Sequence, residues 1–305
     1  MDAPTLADSI GVPVRANEPM ARHNSWRVGG PADAFVVAKT LDVFRRAVLA
    51  ARAQRTPYLI LGRGTNMLVA DAGVRGLVIA AECDEYMLRE HGDTATLSAE
   101  AGSSLPLLAN TLARRGWAGL EWAVGVPSAV GSAVVNNSGA HGSSMADVLR
   151  RATVLDEHGE ERVVELADMQ YAYRHSRFKG QHERGVVVLA AEILLKREAP
   201  EAVMARLRRY NEHRRATQPS DPSAGSVFQN PPGDFAGRLI DAAGLKGTQI
   251  GGAMISPVHA NFFVNTGAAT AGDLLALIRL AQASVKEKFH IELQPEVEFI
   301  GEWDA

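Results

Sequence analysis

The stretch Gly225-Ser226-Val227-Phe228-Gln229-Asn230-Pro231 sets one hydroxyl behind small residues and follows it with two amides. Ser, Gly, Asn and Pro also punctuate ordinary turns, so the pattern admits two readings: a loop, or a hydroxyl that something must approach closely. Four other places carry comparable chemistry. In YAYRHSRFKG (171–180), which ends at Gly180, Arg174 stands beside Tyr173 and His175. Its planar fork suits a carboxylate, although a loop arginine is also a common surface residue. In QPEVEF, Glu296 follows a proline at the start of a strand pattern, where it is either a functional carboxylate or an edge charge. LGRGTN (61–66) follows an apolar run, and its glycines and Thr65 could turn backbone N–H groups toward a diphosphate or simply make a tight turn. It fits neither the G-x-G-x-x-G nor the Walker pattern. The longer GVPSAVGSAVVNNSGAHG (125–142) has almost no long side chains, with Ser128, Ser132 and Asn136 in the gaps. Such a backbone admits a large planar or phosphorylated ligand, or close packing between sheets.

The chain that must position these groups has 305 residues, enough for two or three domains. Its 32 basic and 35 acidic side chains leave a formal charge of -3, so no global field favours nucleic acid or an anionic membrane. One cysteine, Cys83, excludes an internal disulfide framework and a thiolate cluster, and the nine histidines show no zinc spacing. No structural metal is expected. With Asp2 near its start, no signal-peptide core and no apolar run of membrane-spanning length, the sequence reads as a cytoplasmic protein.

Periodicity predicts helices over 41–54, 104–116, 270–289 and the basic segment opened by Pro200. DFAGRLIDAAGL reads as a further helix, and Thr270 with Asp273 has the spacing of a capping box. Strands are predicted at 57–62, 74–81, 94–102 and 185–196, the last buried on both faces or nearly so, with a hairpin over 152–166. HANFFVN and IELQPEVEFIG read as the last two strands.

The ordered set LGRGTNMLV, GVPSAVGSAVVNNSGAHG, YRHSRF, SAGSVFQNP, AGRLIDAAGLKGTQIGG, SPVHANFFVN and QPEVEFIG resembles the MurB family of UDP-N-acetylenolpyruvoylglucosamine reductases from about Asn24 to Gly301. Arg174 and Ser226 lie 52 residues apart, and Ser226 and Glu296 lie 70 apart. These separations resemble the shorter class, which lacks a substrate-covering tyrosine loop. The resemblance implies an α+β fold: a two-part FAD-binding domain of the vanillyl-alcohol-oxidase type plus a smaller α+β substrate-binding domain. The expected divisions are 1–82, 83–196 and 197–305, with the C-terminal strand returning to the active site.

By the same resemblance, Arg174, Ser226 and Glu296 are the catalytic residues, Ser226 as proton donor. Non-covalent FAD would be held by Leu61, Gly62, Arg63, Gly64, Thr65, Asn66 and Met67, and by Gly125, Pro127, Ser128, Gly131, Ser132, Asn136 and Gly139. The substrate would meet Tyr173, Gln229, Asn230, Arg238, Gln249, His259 and Asn261. NADPH is the implied hydride donor and a UDP-sugar the implied substrate, with the protein expected as a monomer. Three positions depart from the family pattern. Gln229 stands where a lysine is usual, Glu298 where an arginine is frequent, and NNSGAHG where MNAGAYG is more usual. Two other functions fit the same fold, an FAD-dependent oxidase or dehydrogenase of alcohols or sugars and a non-catalytic flavin- or nucleotide-binding protein.

Overall fold

The computed structural model describes residues 3–179 and 185–303; Asp2 and Gly180, cited above, lie outside them. Seven α-helices are present among the described residues: α1 Ala3–Ile10, α2 Leu41–Ala53, α3 Leu105–Arg114, α4 Val130–Asn136, α5 Pro200–Thr217, α6 Ala236–Ala242 and α7 Ala271–Phe289. The chain divides into two compact units. The first holds residues 1–14, 36–62 and 79–214, and the second holds 15–35, 63–78 and 215–305. This differs from the three consecutive blocks expected from the sequence. The strands Pro31–Ala38 and Val74–Ala81 each run from the second unit into the first, so linear boundaries cannot describe the division.

In the first unit, a six-stranded sheet is built on Val187–Arg197. That strand pairs antiparallel with Leu149–Leu155 on one side and Thr94–Glu100 on the other, with Glu161–Glu165 and Tyr86–His91 outside them and Trp117–Ala118 on its end. Ala152, Ala191 and Ala99 fall opposite one another across three strands. These small side chains share one buried cluster with Val130, Ala133 and Val134 of α4. The side-chain-poor segment is therefore a helix laid on an alanine floor. Thr40 caps α2 by accepting Val43 N at 3.3 Å, and Phe44, Ala47, Val48 and Ala51 form its buried stripe. Cys83 is fully buried, and desolvation pushes its thiol up to about 11, in keeping with an inert small hydrophobe.

The second unit buries Trp26, Leu68, Phe228, Leu239, Phe263 and the inner face of α7. The capping box of α7 is present, since Asp273 N donates to Thr270 Oγ1 and Thr270 N to the Asp273 carboxylate, both at 3.0 Å. Asp71 adds a second acceptor: Ala271 N and Gly272 N each donate to its carboxylate at 3.0 Å, where negative charge also complements the helix dipole. The two expected C-terminal strands are shorter than predicted. Continuous strand pairing is confined to Phe263–Asn265 and Glu298–Ile300, the latter parallel to Met67–Val69, with isolated bridges at Phe262 and Pro295.

Candidate active site

In the second unit, residues 63–67 form a turn whose shape is imposed from behind. Gly64 has φ +63, and a Cβ there would run into the carbonyl of His23 and lie 2.8 Å from Asn24 Cα. Ser25 N donates to Gly64 O at 3.0 Å. The backing loop is itself pinned: His23 Nε2 donates to Glu18 at 2.8 Å and its ring stacks on Phe35 at 4.2 Å. The buried Asn24 amide donates to Met20 O at 2.7 Å and Val28 O at 2.8 Å. Arg63 is exposed, Thr65 and Asn66 are half-buried, and Met67 is buried. Asn66 Nδ2 donates to Glu296 O at 3.1 Å and Asn66 O accepts Glu298 N at 3.0 Å, so the turn and the Glu296 segment are one hydrogen-bonded assembly.

Gly64→Ala is therefore expected to destabilise the protein by about 2–4 kcal/mol, from left-handed strain plus a steric clash against backbone. It should also leave the purified protein with little flavin. A thermal melt and the ratio of flavin to protein absorbance check this; an equally yellow variant with an unchanged Tm would contradict it.

In the first unit, Leu61 ends a strand and Gly62 follows it. A Cβ on Gly62 would meet Ser132 Oγ in the first turn of α4. Gly131 N donates to Ala101 O at 2.8 Å, Ser128 is buried with its hydroxyl on Ala129 O at 3.0 Å, Pro127 is exposed, and Gly139 starts a two-residue strand opposite Ser143–Ser144. Gly125 has a protein reason for lacking a side chain, because the Arg214 side chain crosses it and donates to its carbonyl. Asn136 Nδ2 donates to Ser132 O at 3.1 Å, but its buried Oδ1 has no hydrogen-bond partner. A buried acceptor without a donor is rare in a finished fold, and a cofactor N–H or O–H would satisfy it. The residues present therefore fit FAD.

Arg174 occupies the tip of a two-residue hairpin in the first unit. Ala172 and His175 exchange both backbone hydrogen bonds at 3.1 Å, and Arg174 takes φ +54, a left-handed conformation uncommon for a side-chain-bearing residue. Three bonds hold this hairpin to the end of α4. Tyr171 Oη donates to Val134 O at 3.0 Å, Ser176 Oγ to Val135 O at 2.6 Å, and Asn137 Nδ2 to Ala172 O at 3.0 Å. The arginine is thus carried by the helix that includes Ser132 and Asn136. Exposed Tyr173 lies with its ring 5.7 Å from the guanidinium.

Ser226 and Glu296 belong to the second unit and lie on neighbouring segments. Ser226 bridges Phe262, Glu296 N donates to Val227 O at 2.8 Å, and Gln229 N to Gln294 O at 2.9 Å. Both catalytic candidates are half-buried. Gly225, with φ +76 and open space where a Cβ would be, makes the bend before the serine. The remaining substrate candidates differ in how far their polar groups are committed. Asn230 Oδ1 accepts Ala236 N at 3.1 Å at the start of α6. Arg238 pairs through Nε with Asp234 at 2.6 Å and through a second nitrogen with the other oxygen, which holds the Asp234 carboxyl near 2. Gln249 folds back on Gly251 O at 2.9 Å. His259 Nδ1 accepts Asn261 N at 3.2 Å, and burial, then Lys246, lowers the affinity of its ring for a proton. Asn261 is buried, with both ends of its amide on the Phe228 backbone.

Residues 218–300 match the family profile of the UDP-N-acetylenolpyruvoylglucosamine reductase C-terminal domain, and residues 32–165 match that of an FAD binding domain. The UDP-N-acetylenolpyruvoylglucosamine reductase of Chloroflexus aggregans is 47% identical over 298 residues, covering 97% of this chain and all of the relative. The chain belongs to the MurB family. The reductase of the same name from Caldanaerobacter subterraneus is 42% identical over 94% of this chain and 93% of its own length. The crystal structure of MurB from Thermus caldophilus superposes with a TM-score of 0.79 at 36% identity, covering 94% of this chain and 98% of that one. The fold is the expected α+β combination of a MurB FAD-binding region and a C-terminal domain.

Against that MurB framework, loop 23–30, with Trp26, and Asn265 also shape the backbone, around Gly64 and Phe263, although neither stands out in the sequence as a chemical residue. Trp26 Nε1 donates to Phe263 O at 2.7 Å, and Asn265 Nδ2 returns a bond to Trp26 O at 2.8 Å. A tryptophan among small polar residues, NSWRVGG, was the available signal.

Proposed function

We propose that this protein is the NADPH-dependent reductase that converts the enolpyruvyl ether of UDP-N-acetylglucosamine to UDP-N-acetylmuramate in peptidoglycan precursor synthesis. The observation that carries the reading is a hydroxyl and a carboxylate on hydrogen-bonded neighbouring segments, with Asn66 of the cofactor turn bonded to the same carboxylate-bearing segment. Full-length relatives that carry this enzyme name support it.

FAD, when bound, supplies the hydride it has accepted from NADPH. Residues 61–67 and the α4 segment with Ser128, Ser132 and Asn136 would hold it. The substrate is a C=C bond conjugated to a carboxylate, so hydride addition at the terminal carbon leaves an electron pair delocalised into that carboxylate. Arg174 binds the carboxylate and stabilises the added charge. Ser226 Oγ donates its proton to the carbon that bears the carboxylate, leaving an alkoxide that water reprotonates. A serine is a weak acid, so the transfer requires that the enolate, a strong base, lie within hydrogen-bond reach of the hydroxyl, about 3 Å. Glu296 supports the charged intermediate.

Tyr173, Gln229, Asn230, Arg238, Gln249 and His259 remain candidates for the UDP-sugar. Arg238 must exchange Asp234 for a phosphate if it is to serve. The protein acts as a cytoplasmic monomer on this reading; a formal charge of -3 gives no global attraction to an anionic membrane, and among the described residues no helix is long and apolar enough to cross one.

Anaerobic stopped-flow absorbance tests the function. Bleaching of the flavin band by NADPH, followed by recovery on adding the enolpyruvyl UDP-sugar, is expected. Recovery with oxygen alone would make the protein an oxidase of related fold.

A further inference from the structure

We infer that Asn261 is a positioning residue that sets the height of Ser226, not a residue that touches the sugar nucleotide. The inference rests on the reading of Ser226 as proton donor. Asn261 is 3% exposed, and its polar groups all have protein partners. Oδ1 accepts Phe228 N at 2.9 Å and Nδ2 donates to Phe228 O at 2.8 Å, while its backbone O accepts Val227 N at 2.8 Å and its backbone N donates to His259 Nδ1 at 3.2 Å. Three of the four bonds grip the two residues that follow Ser226.

The grip replaces what a β-ladder would otherwise supply. The serine segment has only single bridges, Ser226 to Phe262 and Phe228 to Pro295, and no continuous strand pairing. Phe228 is 1% exposed, so its N–H and C=O must find partners inside the protein. A carboxamide offers one donor and one acceptor at the spacing of a peptide group and stands in for a neighbouring strand at that point. His259 fixes the direction of approach. Its Nδ1 accepts the Asn261 N–H, which places the ring proton on Nε2 and keeps the imidazole neutral in this arrangement. On the far side, Glu296 N holds Val227 O at 2.8 Å. Val227 is therefore clamped between the asparagine segment and the glutamate segment, and the hydroxyl one residue earlier inherits its place from both.

Asn261→Ala and Asn261→Asp test this by stopped flow, with the two half-reactions and substrate affinity measured separately. For Asn261→Ala, the rate of flavin reoxidation by saturating enolpyruvyl UDP-sugar should fall about 100-fold, the effect of displacing a reacting group by an ångström. The Kd for that substrate and the rate of flavin reduction by NADPH should stay within about threefold. Asn261→Asp places two acceptors where Phe228 O needs a donor, so it should be equally slow when ionised. Protonation restores an O–H donor in the same shape, and burial raises the pH at which this occurs. Its reoxidation rate should recover as the pH falls, relative to wild type, whose profile carries any contribution from His259, Lys246 and Glu296. If Asn261→Ala does not fold, the Asp variant decides alone.

Weakened substrate binding at an unchanged reoxidation rate would overturn the inference and restore a direct contact. Unchanged behaviour in both respects, or an Asp variant with no relative recovery at low pH, would also overturn it. Ser226→Ala in the same assay separates the premise: if that variant reoxidises normally, the proton-donor reading itself fails.

Discussion

Ser226→Ala is expected to keep a normal reductive half-reaction with NADPH and to lose flavin reoxidation by the enolpyruvyl substrate by about 10²- to 10⁴-fold, the range for removing a positioned general acid. The asymmetry follows from the chemistry of the two halves. Hydride transfer from a nicotinamide needs no proton from Ser226, whereas reduction of the vinyl ether is completed only when a proton reaches the carbon beside the carboxylate. The substitution should cost little stability. Ser226 is half-buried, and the backbone of the next two residues is held by Asn261 and by Glu296 N. The bend before it is made by Gly225, which the substitution leaves in place. Single-turnover traces of the two halves, with a melting curve beside them, give the result. Loss of both halves would indicate a damaged flavin site, and retention of both would remove Ser226 from the mechanism.

Arg174→Ala is expected to lower the rate of the substrate half-reaction by about 10²- to 10³-fold, as removal of one preorganised donor to a developing anion does. The hairpin should survive. Tyr171, Ser176 and Asn137 hold it to α4 without using the guanidinium. Arg174→Lys keeps the charge but not the two-pronged geometry, so it should recover only part of the loss. The backbone supplies an independent check. At φ +54 a glycine relieves strain, so Arg174→Gly should be as inactive as the alanine variant while matching or exceeding wild-type stability, with about 1 kcal/mol at stake in the backbone preference. Thermal melts of the two variants alongside reoxidation rates measure both quantities. A glycine variant clearly less stable than alanine would show that the strained turn is not where the arginine's conformation is decided.

The long elements were legible because one local rule governs each. The buried stripe of α2, the capping box of α7 and the apolar run of Val187–Arg197 need only neighbouring residues to be recognised. Helix α4 was not legible. Its seven residues are too small and too uniform to show a period, and its stability comes from the alanines beneath it. HANFFVN and IELQPEVEFIG were read as longer strands than they are, because Asn261 and Asn66 side chains make bonds that a strand would have made through its backbone. Arg174, Ser226 and Glu296 stood out by residue type and motif. What fixes their positions did not, since Gly64 against His23 or Asn265 against Trp26 are pairings between residues far apart in the chain.

The parallel pairing of Met67–Val69 with Glu298–Ile300 has a consequence for how the protein is made. The turn that precedes Met67–Val69 is translated well before the segment with which its flanking strand pairs, which lies some 230 residues further along the chain. A ribosome that has not yet passed Glu298–Ile300 therefore holds a nascent chain in which Met67–Val69 lacks its partner strand. Loop-closure entropy over such a span makes this pairing one of the slower contacts to form. A premature stop before residue 298 removes the partner strand of Met67–Val69 even though every residue of the 63–67 turn has been synthesised.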